Sequence, residues 1–171
     1  MSLQRVVNIV FGLSVVALVV TSAVVAGVVP SPMSLMGTPQ EYDRAEVTIT
    51  NNCSRTLGTV DVRIADTYQK KYTGLSDTPS LANGSGMLFT YEQSSEHTYV
   101  MREMDYPLDI VFIGADGRIN AIREAPAPGP NENGESIERT GEGKYILEVP
   151  RGWMRSHGIH AGHRVAIEDS G

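Results

Sequence analysis

The sequence predicts an α+β, mainly β domain: a small antiparallel barrel or half-barrel with two or three short helices, preceded by one transmembrane helix. Three observations predict it. An uncharged, apolar run from Val6 to Val29 stands apart from the rest of the 171-residue chain. Short segments that alternate apolar and polar residues recur after it, as half-buried strands do. Helical signals are confined to a few single turns, each bounded by a cap or a glycine.

The run is long enough to cross a bilayer, since about 20 apolar residues at ~1.5 Å rise each span the ~30 Å hydrocarbon core. A secretory apolar region is shorter, about 7 to 15 residues, although Val24-Val25-Ala26-Gly27 offers small residues for cleavage. Residues 1–29 are therefore expected to be an anchor or a signal. Arg5 precedes the run and Glu41 and Asp43 follow it, which places the body outside the cytoplasm by the positive-inside tendency. The expected location is the cell membrane, single pass with the C-terminal domain outside, or export if the segment is cleaved.

Residues 30–44, rich in proline, serine and glycine around Pro30-Ser31-Pro32 and Pro39, read as a linker, and residues 45–171 as the exported domain. Val47 and Ile49, then Val60, Val62 and Ile64, alternate with polar neighbours and predict two strands broken at Asn51-Asn52. Asp66-Thr67 caps a short helix through Tyr72, which Gly74 ends. Thr78-Pro79 starts a second helical turn. Met87-Leu88-Phe89 and Thr98-Tyr99-Val100-Met101 predict two separate strands. The apolar run Leu108 to Ile113 predicts a central strand buried on both faces, turned by Ala115-Asp116-Gly117 into a strand from Arg118 to Arg123. Pro126 to Gly143 reads as a long surface loop of functional character. Lys144 to Val149 is a strand, Arg151 to His157 a short helix carrying Trp153, and Arg164 to Ile167 a closing strand.

Formal net charge is −6, and Lys70, Lys71 and Lys144 are the only lysines among 14 basic residues. An acidic surface that favours arginine suits high salt and a halophilic, archaeal source. No basic stripe exists to displace counterions from phosphates, so no nucleic-acid partner is expected. Cys53 is the only cysteine, which excludes an intrachain disulfide. Asn52 and Asn83 stand in Asn-x-Ser triplets, acceptor sequences on an exported surface.

Several blocks in order carry a family resemblance: Gly74-Leu75, Gly86-Met87-Leu88-Phe89, Tyr99-Val100-Met101-Arg102-Glu103, Pro107-Leu108-Asp109, Tyr145-Ile146-Leu147-Glu148-Val149-Pro150-Arg151-Gly152, and Gly158-x-x-x-Gly162-x-x-Val165. From about Val60 to Ile167 the chain resembles the family of domain of unknown function 192, which implies the same small β domain and no established reaction. Val100 and Glu103 stand where the family carries tryptophan and asparagine, so a ligand stacked on an indole or held by an amide there would be held differently.

The candidate ligand-binding residues are Tyr99, Met101, Arg102, Asp109 and Glu148; Met87, Met104, Tyr106 and Phe112 are either further apolar lining or barrel core, with core the better reading for Met87 and Phe112. Glu103, Asp105 and Asp109 with His97 are the candidate catalytic set, since paired carboxylates with one raised pKa perform acid and base work. The competing reading makes Asp109 an acceptor for backbone amides at a strand entry. His157, His160 and His163 have imidazoles that could ligate a metal, but Gly158 and Gly162 break any helix that would gather them, and no metal is expected. No phosphate-cradling glycine loop or nucleophile elbow is present, so no cofactor is expected. The first reading is thus a non-catalytic module, anchored at a membrane, that binds a small molecule, a glycan or a surface partner. A hydrolase using the carboxylates with His97, and an assembly or maturation factor for exported proteins, are the alternatives.

Overall fold

The structure is a computed structural model and describes residues 41–169. The expected anchor or signal and most of the linker lie outside these residues. Among the described residues no helix is long and apolar enough to cross a membrane.

Seven strands form one sheet: β1 (Arg44–Thr50), β2 (Thr56–Ala65), β3 (Ser85–Val100), β4 (Leu108–Ile113), β5 (Ile119–Ala125), β6 (Glu138–Pro150) and β7 (Arg164–Asp169). Their spatial order is β5-β4-β6-β3-β2-β1-β7. Two short helices, α1 (Tyr68–Thr73) and α2 (Trp153–Ser156), and a 3-10 turn at Gly134–Ser136 complete the described elements. The ends of the strand order are linked. Arg118 bridges to Arg164, the Ile119 amide donates to the His163 carbonyl at 3.0 Å, and the Val165 amide donates to the Gly117 carbonyl at 2.8 Å.

Alternation along β1, β4 and β6 sorts apolar side chains to two faces. Val47, Ile49, Val60, Val62, Leu88, Val111, Ile113, Leu147 and Val149 build one core, closed by Trp153 and Met154. Met87, Phe89, Leu108, Ile110, Phe112 and Ile146 build a second, with Met101, Met104 and Leu75. β4 is buried at every residue, as its apolar run predicts.

The sheet is mainly antiparallel, but β2 and β3 run parallel, with Val62 opposite Gly86 and Ile64 opposite Leu88. A parallel neighbour needs a crossover of a dozen or more residues. The crossover here is 66–84, and it carries α1. Thr67 caps α1 by accepting from the Lys70 amide at 3.2 Å, and Gly74 ends it at φ 54°.

Three expectations are corrected. Thr78-Pro79 starts no helix, because the Thr78 amide only closes a turn onto the Leu75 carbonyl. The two expected strands at Met87 and Thr98 are one 16-residue strand, β3, whose pairing shifts between Thr90 and Ser95. The expected loop ends early, since 138–143 already belongs to β6 and pairs with β3 from Ser95 to Val100. Its glycines are what the packing requires. A Cβ on Gly141 would stand 2.6 Å from the Phe112 ring, and one on Gly143 3.0 Å from the Ile113 backbone.

Candidate functional site

Glu148 lies near the middle of the sheet, opposite Met87 on β3 and Ile110 on β4. It faces the second core and is only 5% exposed, with no hydrogen bond or ion pair among the described residues. Burial alone pushes its carboxyl up to about 8 from the ordinary 4.5, because a low-dielectric surrounding disfavours the charged form. At neutral pH it is predominantly a neutral acid, able to donate one hydrogen bond and accept others.

This carboxyl lines a cavity of about 220 Å³. The crossover forms one wall with Lys71, Tyr72, Gly74, Leu75 and Ser76, and β3 forms another with Phe89, Tyr91, Thr98 and Tyr99. Arg102, Met104 and Leu108 complete it. Tyr99 packs edge-on against Phe89, ring centroids 5.0 Å apart, and its hydroxyl shares a 3.0 Å hydrogen bond with that of Tyr91. Burial, with Tyr91 and Glu148 beside it, raises the Tyr99 phenol far above its usual value, so it stays protonated. Arg102 lies 4.0 Å over the Tyr72 ring and donates to the Tyr72 carbonyl. Lys71 holds its ammonium 4.1 Å over the Tyr91 ring, and burial lowers its pKa.

Of the expected ligand-binding residues, Tyr99, Arg102 and Glu148 meet in this cavity. Met101 is wholly buried in the second core and does not line it. Asp109 is elsewhere. It lies one position along β4 from Ile110, the partner of Glu148, so it faces the opposite side of the sheet. There its Oδ2 accepts the Gly152 amide at 3.0 Å and the Met154 amide at 3.1 Å, capping α2 from across the sheet. Its Oδ1 is buried without a partner, and burial raises its pKa against the pull of the two amides. The backbone-acceptor reading describes its surroundings. Glu103 and Asp105 are exposed, and Glu103 holds φ at 55°. His97 stacks on Tyr91 with ring centroids 3.7 Å apart and shares a hydrogen bond with Ser95 at 3.0 Å. Asp109 and His97 thus sit in separate surroundings, and Glu103 and Asp105 are exposed on the connection between β3 and β4.

His160 and His163 touch, ring centroids 3.7 Å apart, while His157 stacks on Trp153 and holds the Trp153 carbonyl through Nδ1 at 2.8 Å. Among the described residues no group of three or more His, Cys, Asp or Glu is gathered for a metal. Cys53 is exposed.

Lys71, Tyr91 and Leu75 escaped the sequence reading. Lys71 and Leu75 come from the crossover, whose position depends on the unforeseen parallel pairing. The charge at Lys71, one of three lysines in an acidic chain, was the available signal.

A small β domain whose sheet carries one crossover helix over a buried acid is the class the geometry defines. The family model DUF192, described as an uncharacterized ACR, matches residues 48–167, and the chain belongs to that family. A crystal structure of a "putative transcription regulator" from Sinorhizobium meliloti 1021 is similar at 23% identity, with TM-score 0.67 over 76% of this chain and 98% of that one. Another, a protein of unknown function from Novosphingobium aromaticivorans DSM 12444, is similar at 28% identity, with TM-score 0.60 over 71% of this chain and 83% of that one. No curated protein matches.

Proposed function

We propose that this protein is a non-catalytic binding module that holds a small molecule in the Glu148 cavity. The observation that carries this reading is the carboxyl itself: a 5% exposed acid with no hydrogen-bond partner, lining an open-mouthed cavity. Its carboxyl opens on the cavity, where a ligand hydroxyl can take up its hydrogen-bonding capacity. Phenols, a guanidinium and an ammonium line the same space beside Leu75, Phe89, Met104 and Leu108, so polar groups that could orient a ligand stand next to apolar wall. The volume, about 220 Å³, is below the roughly 300 Å³ at which drug-sized pockets begin, so the ligand is compact.

The engagement of Asp109 by two backbone amides, and of His97 by Tyr91 and Ser95, supports binding over hydrolysis by that set. The sheet, bridged end to end, is read as a small barrel. The uncharged stretch from Val6 to Val29 supports a membrane location with the module outside, and the acidic composition supports a partner other than nucleic acid.

The test is a ligand-observed NMR screen of small polar fragments on the full chain, repeated on Glu148→Leu, Arg102→Gln and, as a control outside the cavity, His160→Ala. Fragments should bind the parent and the control and lose binding to the first two. Hits that bind all four proteins equally would show that the cavity is not the site.

A further inference from the structure

Resting on the binding reading above, we infer that the ligand is an anion bearing hydroxyl groups, of the size of an acidic monosaccharide, with its charge at Lys71 and Arg102 and a hydroxyl at Glu148. Two cations without an ion pair line the cavity. Lys71 and Arg102 both line it, and neither makes an ion pair within 4 Å among the described residues. Each rests instead on a tyrosine face, Lys71 on Tyr91 and Arg102 on Tyr72.

Those ring contacts leave ammonium and guanidinium hydrogens free to donate. Arg102 spends one donor on the Tyr72 carbonyl and retains others of its five. Asp77 and Glu103 line a neighbouring pocket together with Arg102, outside ion-pair distance. Asp66 and Glu92 act on Lys71 only through longer-range attraction. In a chain of net charge −6, these two cations have carboxylates in the neighbourhood but none in direct ion-pair contact, and a ligand carboxylate or phosphate in the cavity would pair with them directly. A guanidinium and an ammonium together suit such an anion, the first by its planar fork and the second as a point charge.

The floor asks for something else. A predominantly neutral carboxylic acid offers a donor and an acceptor to a hydroxyl at little desolvation cost, and Tyr99 and Tyr91 add hydroxyls along the wall. A cationic ligand would meet Lys71 and Arg102 on entry and be repelled. The two ends together select an anion with hydroxyl groups over a neutral polyol, and a polyol over an amine.

The experiment is isothermal titration calorimetry of the full chain at neutral pH and low salt with D-glucuronate, D-glucose and D-glucosamine. Glucuronate should bind at least tenfold more tightly than glucose, and glucosamine more weakly than glucose. Lys71→Gln and Arg102→Gln should each bring glucuronate toward the affinity of glucose, and Glu148→Leu should weaken both. The three ligands on the unaltered chain decide the matter even if a variant folds poorly. Glucosamine binding as tightly as glucuronate, or a glucuronate preference that survives both cation substitutions, would overturn the charge assignment while leaving a Glu148-dependent cavity site in place. No binding by any of the three sugars would overturn the ligand class, and binding untouched by Glu148→Leu would overturn the site as well.

Discussion

Glu148 and Asp109 are both buried acids, one residue apart in the β4 to β6 register, yet they have different jobs. Glu148 has no partner, so its raised pKa is a stability statement. Its folded pKa, about 8, exceeds the ordinary 4.5, so the folded chain binds the proton more tightly than the unfolded chain. Stability from this group is fully present below pH about 4.5 and is lost as pH rises through about 8. Glu148→Gln keeps the shape without the charge, so it should flatten that decline and stabilise the protein at pH 9 by a few kcal/mol, read by urea denaturation across pH. A variant whose pH profile runs parallel to the parent's would mean that Glu148 is ionised at no cost. Asp109 instead holds two amides at the start of α2. Asp109→Ala should cost roughly 2–4 kcal/mol by removing the cap and leaving those donors unsatisfied, whereas Asp109→Asn keeps an acceptor and should cost less. Sugar or fragment binding by the folded Asn variant should match the parent, and its loss would move Asp109 into the site.

At the scale of elements, the crossover decides where the cavity is. The Thr67 cap, the helix after it and the Gly74 stop were legible because their signals are local. The course of the chain over the sheet was not, since it follows from β2 and β3 pairing in parallel, and alternation in Val60, Val62 and Ile64 carries no strand direction. The early start of β6 was missed for a related reason. Glycines at 141 and 143 read as loop by composition, but they are small because Phe112 and the Ile113 backbone press on them. Gly141→Ala should therefore destabilise by roughly 1–3 kcal/mol through overpacking, measured as a drop in the urea midpoint at unchanged slope. An Ala variant as stable as the parent would show that this part of β6 can lift away from β4. Glu148 was legible because an acid in an apolar strand is conspicuous in sequence, whereas Tyr99 and Arg102 came from the Tyr99 to Asp109 block. Asp109 carried the same signal, and only the register places it on the other face.

For the molecule as a whole, the mainly β architecture was legible from short alternating segments, and two of the three expected helical turns are present, the first of them where the Thr67 cap puts it. The division of apolar residues into two cores was not, because β4 reads apolar on both faces without saying what covers each. That second core includes Leu75 from the crossover and Met101 and Met104 from the turn after β3. If residues 6–29 hold the module at a membrane, the full chain should sediment with membranes after high-salt and alkaline washes, while a chain beginning at Glu41 should not. Release of the full chain by salt alone would contradict an apolar anchor.

The central claim is that Glu148 is an unpaired, buried acid kept for a ligand. Carbon-detected NMR of the side-chain carboxyl, titrated across pH in the full chain, tests it most directly. A midpoint raised toward about 8, moved by saturating glucuronate and unmoved by glucosamine, is the result predicted. A midpoint at the ordinary 4.5, indifferent to added sugar, would contradict it, because it would mean that water or a protein partner already satisfies the carboxylate.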